Sequence, residues 1–177
     1  MDTSVITAAT DRRLAERVTS TPNWTKLILS LLLTLAVGAI SGWITMDQVN
    51  NWYFTIHKPS FTPPNGVFGP VWTVLYLLIG YSFYRVWKKP LSEERNAAIF
   101  LFLVQLMFNF LWTVLFFEFH QVGWAMISMV VLWIFILLTI FDFDDISKTA
   151  AWTMVPYICW VTFTGLLNFY IWKMNLQ

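Results

Sequence analysis

Five apolar stretches govern what this chain can fold into. They cover residues 27–46, 68–87, 97–119, 123–141 and 151–172, each near the roughly 20 residues that carry a helix across a bilayer. No Asp, Glu, Lys or Arg stands in the middle of any of them. A lone strand would leave its backbone groups unpaired in lipid, so helices are the permitted solution. The chain is 58% hydrophobic and 12% charged, where a soluble domain carries about 25% charge. The predicted class is an all-α integral membrane protein: a five-transmembrane-helix bundle with a long structured first loop. A polar N-terminal tail (1–25) precedes the bundle (26–177).

The connections after the second, third and fourth stretches are short, so those neighbours are expected to pack antiparallel. The first loop, about Asp47 to Val67, is long, and long loops in compact folds are often functional. Nine Lys and Arg fall on the N-terminal side of the bundle and two, Lys58 and Lys173, on the other. The positive-inside rule then places the N-terminus inside and the first loop outside.

Several function classes are disfavoured. A proton-coupled pump needs an ionisable group within the membrane, and the odd helix count argues against a duplicated-half transporter. No basic face points to nucleic acid. The single cysteine, Cys159, forms no intrachain disulfide and reads as buried and inert. His57 and His120 stand alone without metal-ligand spacing, so no metal site is expected. No nucleophile–base pair, Walker loop or paired-carboxylate site is visible, and no dedicated enzyme chemistry or required cofactor is implied.

The segment Trp52–Tyr76, WYFTIHKPSFTPPNGVFGPVWTVLY, is aromatic-rich and proline-stiffened. Pro59, Pro63 and Pro64 each lock φ and bias the preceding residue away from helix. Such a stretch reads as a lid or wall over a binding site. Pro70 is expected in the first turn of the second helix, where proline is tolerated. Trp72 and Tyr76, four apart, share a face. Eleven Trp in the chain are more than interfacial belts readily require, which permits an aromatic-lined cavity.

Polar residues within the stretches add detail. Gln105, Asn109 and Thr113 recur every four residues and share one inward face, either lining a cavity or tying helices together. Trp112 and Phe116 flank that face. The fifth stretch carries Pro156-Tyr157, Trp160, Phe163 and Asn168; Pro156 frees a carbonyl that Tyr157 could help a neighbour meet. The Gly38-Ala39-Ile40-Ser41-Gly42 segment permits a dimer contact, close packing inside the bundle, or room for a ligand.

In order and spacing these residues resemble the TspO family (tryptophan-rich sensory proteins, translocator proteins, peripheral benzodiazepine receptors). The residues that carry the match are Trp52, Lys58-Pro59, Pro63-Pro64, Phe68, Trp72, Leu75-Tyr76, Gln105, Asn109, Trp112, Phe116-Phe117, Trp133, Pro156-Tyr157, Trp160, Phe163 and Leu167-Asn168. The resemblance implies five helices around a pocket capped by the first loop, often as a homodimer in the membrane lipids. It implies porphyrin-type ligands, such as protoporphyrin IX or haem, and sterol-like lipids in some relatives. The expected binding set is Trp52, Lys58, Pro59, Pro64, Phe68, Trp72, Tyr76, Asn109, Trp112, Phe116, Trp160, Phe163 and Thr164. Trp72 and Trp160 match the tryptophans implicated in light- and oxygen-dependent porphyrin breakdown, and are catalytic only if this chain degrades porphyrin. Ser60, Phe61 and Gly66 depart from bacterial relatives, which often carry extra tryptophans after the Lys-Pro. The charge bias and tryptophan-rich style point to a bacterial plasma (inner) membrane. The reading is a membrane receptor or sensor for flat apolar ligands; porphyrin degradation and tetrapyrrole or sterol transport are the alternatives.

Overall fold

The structure, a computed structural model, describes residues 22–176. The expected polar tail lies outside them except for its last four residues. The elements are α1 (Trp24–Asn50), α2 (Trp52–Thr55), α3 (Asn65–Trp87), α4 (Glu93–Thr113) running into a π turn (Val114–Glu118), α5 (Val122–Ile146) and α6 (Lys148–Met174). Five helices are long and apolar enough to cross a membrane, and the described residues contain no strand.

Helix starts follow local chemistry. The Asn23 side chain accepts from the Lys26 backbone N–H at 3.0 Å and opens α1. Ser92 Oγ does the same for Arg95 at 3.1 Å and opens α4, where Glu93 and Glu94 complement the positive end of the helix dipole. These polar caps move the boundaries outward from the apolar stretches. α1 begins at Trp24, three residues before the expected Leu27, and α4 begins four residues before the expected Ala97.

The largest shift is at α3, which begins at Asn65 directly after the extended Pro64. The first loop is therefore shorter than expected and holds α2. Pro70 lies inside α3 rather than in its first turn, leaving the Gly66 carbonyl without its helical donor.

α1 packs on α3, α4 on α5, and α6 on both α3 and α5. The α1–α3 contact is close because glycine permits it. A Cβ on Gly80 would stand 2.5 Å from Thr34 Oγ1, and one on Gly38 would collide with the Tyr76 ring. Thr34 Oγ1 also donates to the Tyr76 carbonyl at 2.8 Å, tying the two helices. Toward the N-terminal side the core is apolar and stacked: Phe83 lies on Phe102 at 4.7 Å, and Phe102 on Phe143 at 5.9 Å. Ile79, Ile136 and Met154 are fully buried with them.

Candidate functional site: an aromatic cavity at the loop end

At the loop end the bundle opens into a cavity of about 460 Å³, within the ~300–1,000 Å³ usual for small-molecule sites. α3 contributes Asn65, Phe68, Gly69, Trp72, Thr73 and Tyr76. α4 and its π turn contribute Trp112, Thr113, Phe116 and Phe117. α6 contributes Thr164, Leu167, Asn168 and Ile171, α2 contributes Tyr53, and α1 lines the remaining side from Gly38 to Asn50.

The aromatic wall is continuous. Trp72 meets Tyr76 at 5.7 Å and Trp112 at 6.4 Å. Trp112 meets Phe116 at 5.7 Å, and Phe116 meets Phe117 at 4.8 Å. Rings in such offset or tilted pairs hold one another's orientation. Trp112 is fixed further by its indole N–H, which donates to Asn168 Oδ1 at 2.9 Å; the Asn168 amide in turn donates to the Val122 carbonyl at 3.0 Å.

Behind the wall runs a buried polar chain. Tyr76 donates its hydroxyl to Asn109 Oδ1 at 2.6 Å, Asn109 Nδ2 donates to Tyr157 Oη at 3.1 Å, and Tyr157 donates to Gln105 Oε1 at 3.0 Å. This chain joins α3, α4 and α6. Gln105 and Asn109 thus tie helices together, while Thr113 of the same face reaches the cavity. Tyr157 spends its hydroxyl across the bundle rather than at the carbonyl freed by Pro156, which corrects the sequence expectation.

The other expected site residues occupy a second layer. Trp52 stacks on His120 at 4.2 Å and meets Phe116 edge-on at 5.5 Å; it borders a separate pocket of about 310 Å³ with Ile56, Trp172 and Asn175. Trp160 sits against Phe68 at 5.8 Å and Phe163 at 5.4 Å, outside the cavity lining, with its indole N–H buried and unpartnered. Pro64 precedes α3, and Pro59 is buried in the loop. Lys58 points at the carbonyls of Tyr53 (2.5 Å) and Ile56 (3.1 Å) and lies over the Tyr53 ring at 4.7 Å. Burial pushes its ammonium pKa below the usual lysine value. It caps α2 instead of offering a free charge to the cavity.

The loop is latched to the end of α6. Asn175 Oδ1 accepts from the His57 N–H at 3.1 Å and Asn175 Nδ2 donates to the His57 carbonyl at 2.9 Å. Phe61 meets Tyr170 edge-on at 5.5 Å. Phe61 thus stands beside the latch. Among the described residues no group of three or more His, Cys, Asp or Glu is placed to hold a metal ion.

A family profile, the TspO/MBR family, matches residues 30–173. The chain is 40% identical over 153 residues to the tryptophan-rich protein TspO of Chlorobaculum tepidum, covering 84% of this chain and 95% of that one. It is 38% identical to the protein of the same name from Archaeoglobus fulgidus, over 86% of this chain and 99% of that one. The translocator protein of Bos taurus is 31% identical, over 87% and 92%. The chain belongs to the TspO/MBR family.

The TspO/MBR resemblance drawn from the residues therefore holds, and with it the membrane-spanning helical class. Of the family positions in the expected binding set, Phe68, Trp72, Tyr76, Trp112, Phe116 and Thr164 converge on the cavity. Sequence reasoning missed Tyr53 and most of the α1 side: Thr45, Met46, Val49 and Asn50. Only the Gly38–Gly42 segment signalled that α1 takes part. Its two glycines divide the work, Gly38 seating the Tyr76 ring and Gly42 facing open space.

Proposed function

We propose that this TspO/MBR-family membrane protein is a receptor or sensor that admits a flat, largely apolar ring, of which a tetrapyrrole such as protoporphyrin IX is the leading candidate. The observation that carries this reading is the unbroken aromatic wall Trp72–Trp112–Phe116–Phe117 facing the cavity. A planar π system stacks on such rings for about 0.5–1.5 kcal/mol per contact beyond burial. Several such contacts, added to the burial of the ring's apolar area, reach micromolar affinity, about 8 kcal/mol. Ligand carboxylates would sit at the loop end, where Asn50 and Asn65 line the cavity; Lys58 is engaged by backbone carbonyls and is the weaker candidate for that role. Tyr53, from α2 in the loop, borders the same cavity and supports the lid role of this region.

The second reading is light-driven porphyrin oxidation by Trp72 and Trp160. Trp72 borders the cavity but Trp160 stands behind Phe68, which favours binding over a reaction that needs both indoles at the ring. Protoporphyrin IX is titrated into purified protein in the dark, and the sample is then illuminated in air. Saturable quenching of tryptophan fluorescence without pigment loss is expected. Trp72→Phe should weaken binding several-fold while Trp160→Phe leaves it nearly unchanged. Pigment loss abolished by Trp72→Phe with binding intact would support the oxidation instead. Absence of saturable quenching would sink the tetrapyrrole reading.

A further inference from the structure

The end of the bundle opposite the cavity carries an unusual convergence of charge. Lys26 Nζ, from the first turn of α1, donates to the Trp87 carbonyl at 3.0 Å. Arg95 Nη2, from the first turn of α4, donates to the same oxygen at 3.1 Å. The two cations therefore stand within about 6 Å of each other, where like charges repel measurably even under solvent screening. Capping the C-terminal end of α3 needs only one of them.

Their other hydrogen bonds do not supply a counter-charge. Arg95 Nη1 reaches the neutral Asn96 amide at 3.3 Å, and Arg95 Nε is buried with no partner. The Arg95 residue is only 6% exposed, a degree of burial that a charged group rarely shows unpaired. Lys26 also lies over the Trp87 ring at 5.4 Å. Lys88, the residue after Trp87, is a third cation at this helix end, over Tyr84 at 5.3 Å, and the Tyr84 hydroxyl accepts from the Asn23 N–H at the start of α1. The positive-inside bias explains why basic residues lie on this side. It does not explain two of them aimed at one oxygen with a guanidinium nitrogen left over.

We propose that Lys26, Lys88 and Arg95 form a binding site for a phosphate group, supplied by the headgroup of an anionic phospholipid in the adjacent leaflet. All three stand at helix ends, where headgroups lie, and Trp87 gives the amphipathic ring typical of that depth. A phosphate has acceptor oxygens enough for both donors that now share one carbonyl, and its charge offsets theirs. Basic pockets between transmembrane helices take lipid headgroups in this way. The site is separate from the cavity and does not rest on the tetrapyrrole reading.

The test uses the full chain, purified in a non-ionic detergent and stripped of lipid, with thermal unfolding followed by tryptophan fluorescence. Phosphatidylglycerol, phosphatidylcholine and inorganic phosphate are added in parallel titrations. Phosphatidylglycerol is expected to raise the midpoint saturably, and phosphatidylcholine to leave it unchanged. Lys26→Gln should weaken the phosphatidylglycerol effect about five-fold, the loss of one cation near a lipid surface. Lys148→Gln removes a charge at the same end of the bundle but outside the cluster, and should have little effect. Arg95→Lys serves as a second variant that keeps the charge and loses the planar fork. Equal responses to the two lipids, or equal weakening by Lys148→Gln and Lys26→Gln, would overturn the site. Inorganic phosphate matching the lipid would overturn the assignment to a headgroup.

Discussion

α1 and α3 touch in two ways along one contact. Toward the N-terminal side, at Gly80 and Gly38, any added Cβ meets neighbouring atoms; toward the loop, at Gly42 and Gly69, it meets nothing within 4 Å. The same residue type therefore serves close packing in one half and open volume in the other. Tyr76 marks the border: its ring fills the space over Gly38, its carbonyl ties to Thr34, and its hydroxyl joins the polar chain behind the cavity. The lesson is that the site is the place where an otherwise close helix pair is allowed to part.

The comparison can be broken most severely at the border. Asn109→Leu leaves the Tyr76 hydroxyl without its acceptor, at about 1–3 kcal/mol for a buried group left unsatisfied, while Tyr157 loses one of its two partners and keeps Gln105. Both the unfolding midpoint and porphyrin affinity are expected to fall. Intact stability in this variant would mean that the polar chain does not hold the wall.

Next is the close half. Gly80→Val forces Thr34 and the Leu31 backbone to give way, with an overpacking cost of about 1–3 kcal/mol. Thermal unfolding in detergent should shift down while the affinity of the folded fraction stays nearly constant. In the open half the pattern reverses. Gly42→Phe should change stability by no more than about 0.5 kcal/mol, yet weaken porphyrin binding about ten-fold, or ~1.4 kcal/mol. Unimpaired binding to Gly42→Phe would move the ligand elsewhere.

The smallest expected effect is in the lid. Burial pushes the Tyr53 phenol above its ordinary value of 10.0. As pH rises past 10, the unfolded chain loses this proton first, so stability falls. Lys58, shifted down from 10.5, acts oppositely, since there the folded chain loses its proton first. Tyr53→Phe should therefore flatten the alkaline loss of stability, read as midpoint against pH in detergent.

Much of this arrangement was legible in the residues. Trp72 with Tyr76, and Trp112 with Phe116, follow i,i+4 spacing, and both pairs line the cavity. The α1 side was not legible, because neither its lipid face nor its cavity face carries a charge, and Ser41, Thr45 and Asn50 alternate there with Met46 and Val49, so hydropathy cannot separate them. Lys58 misled for a different reason. A lone cation in a loop reads as available to a ligand, and only the chain path shows three carbonyls within its reach. The start of α3 was hidden by Asn65-Gly66, which read as loop although the preceding Pro64 fixes the backbone for a helix to begin.

The π turn at Val114–Glu118 carries a consequence for how this bundle tolerates changes in length. Its ladder closes from the Phe119 N–H to the Val114 carbonyl, a hydrogen bond that spans one residue more than an α-helix's. Deleting one residue there would let the ladder close as ordinary α-helix and leave α4 nearly as long. The two phenylalanines would then leave the cavity while the bundle stayed whole. A single codon's loss would in this way dismantle one end of the aromatic wall and keep the membrane-spanning bundle.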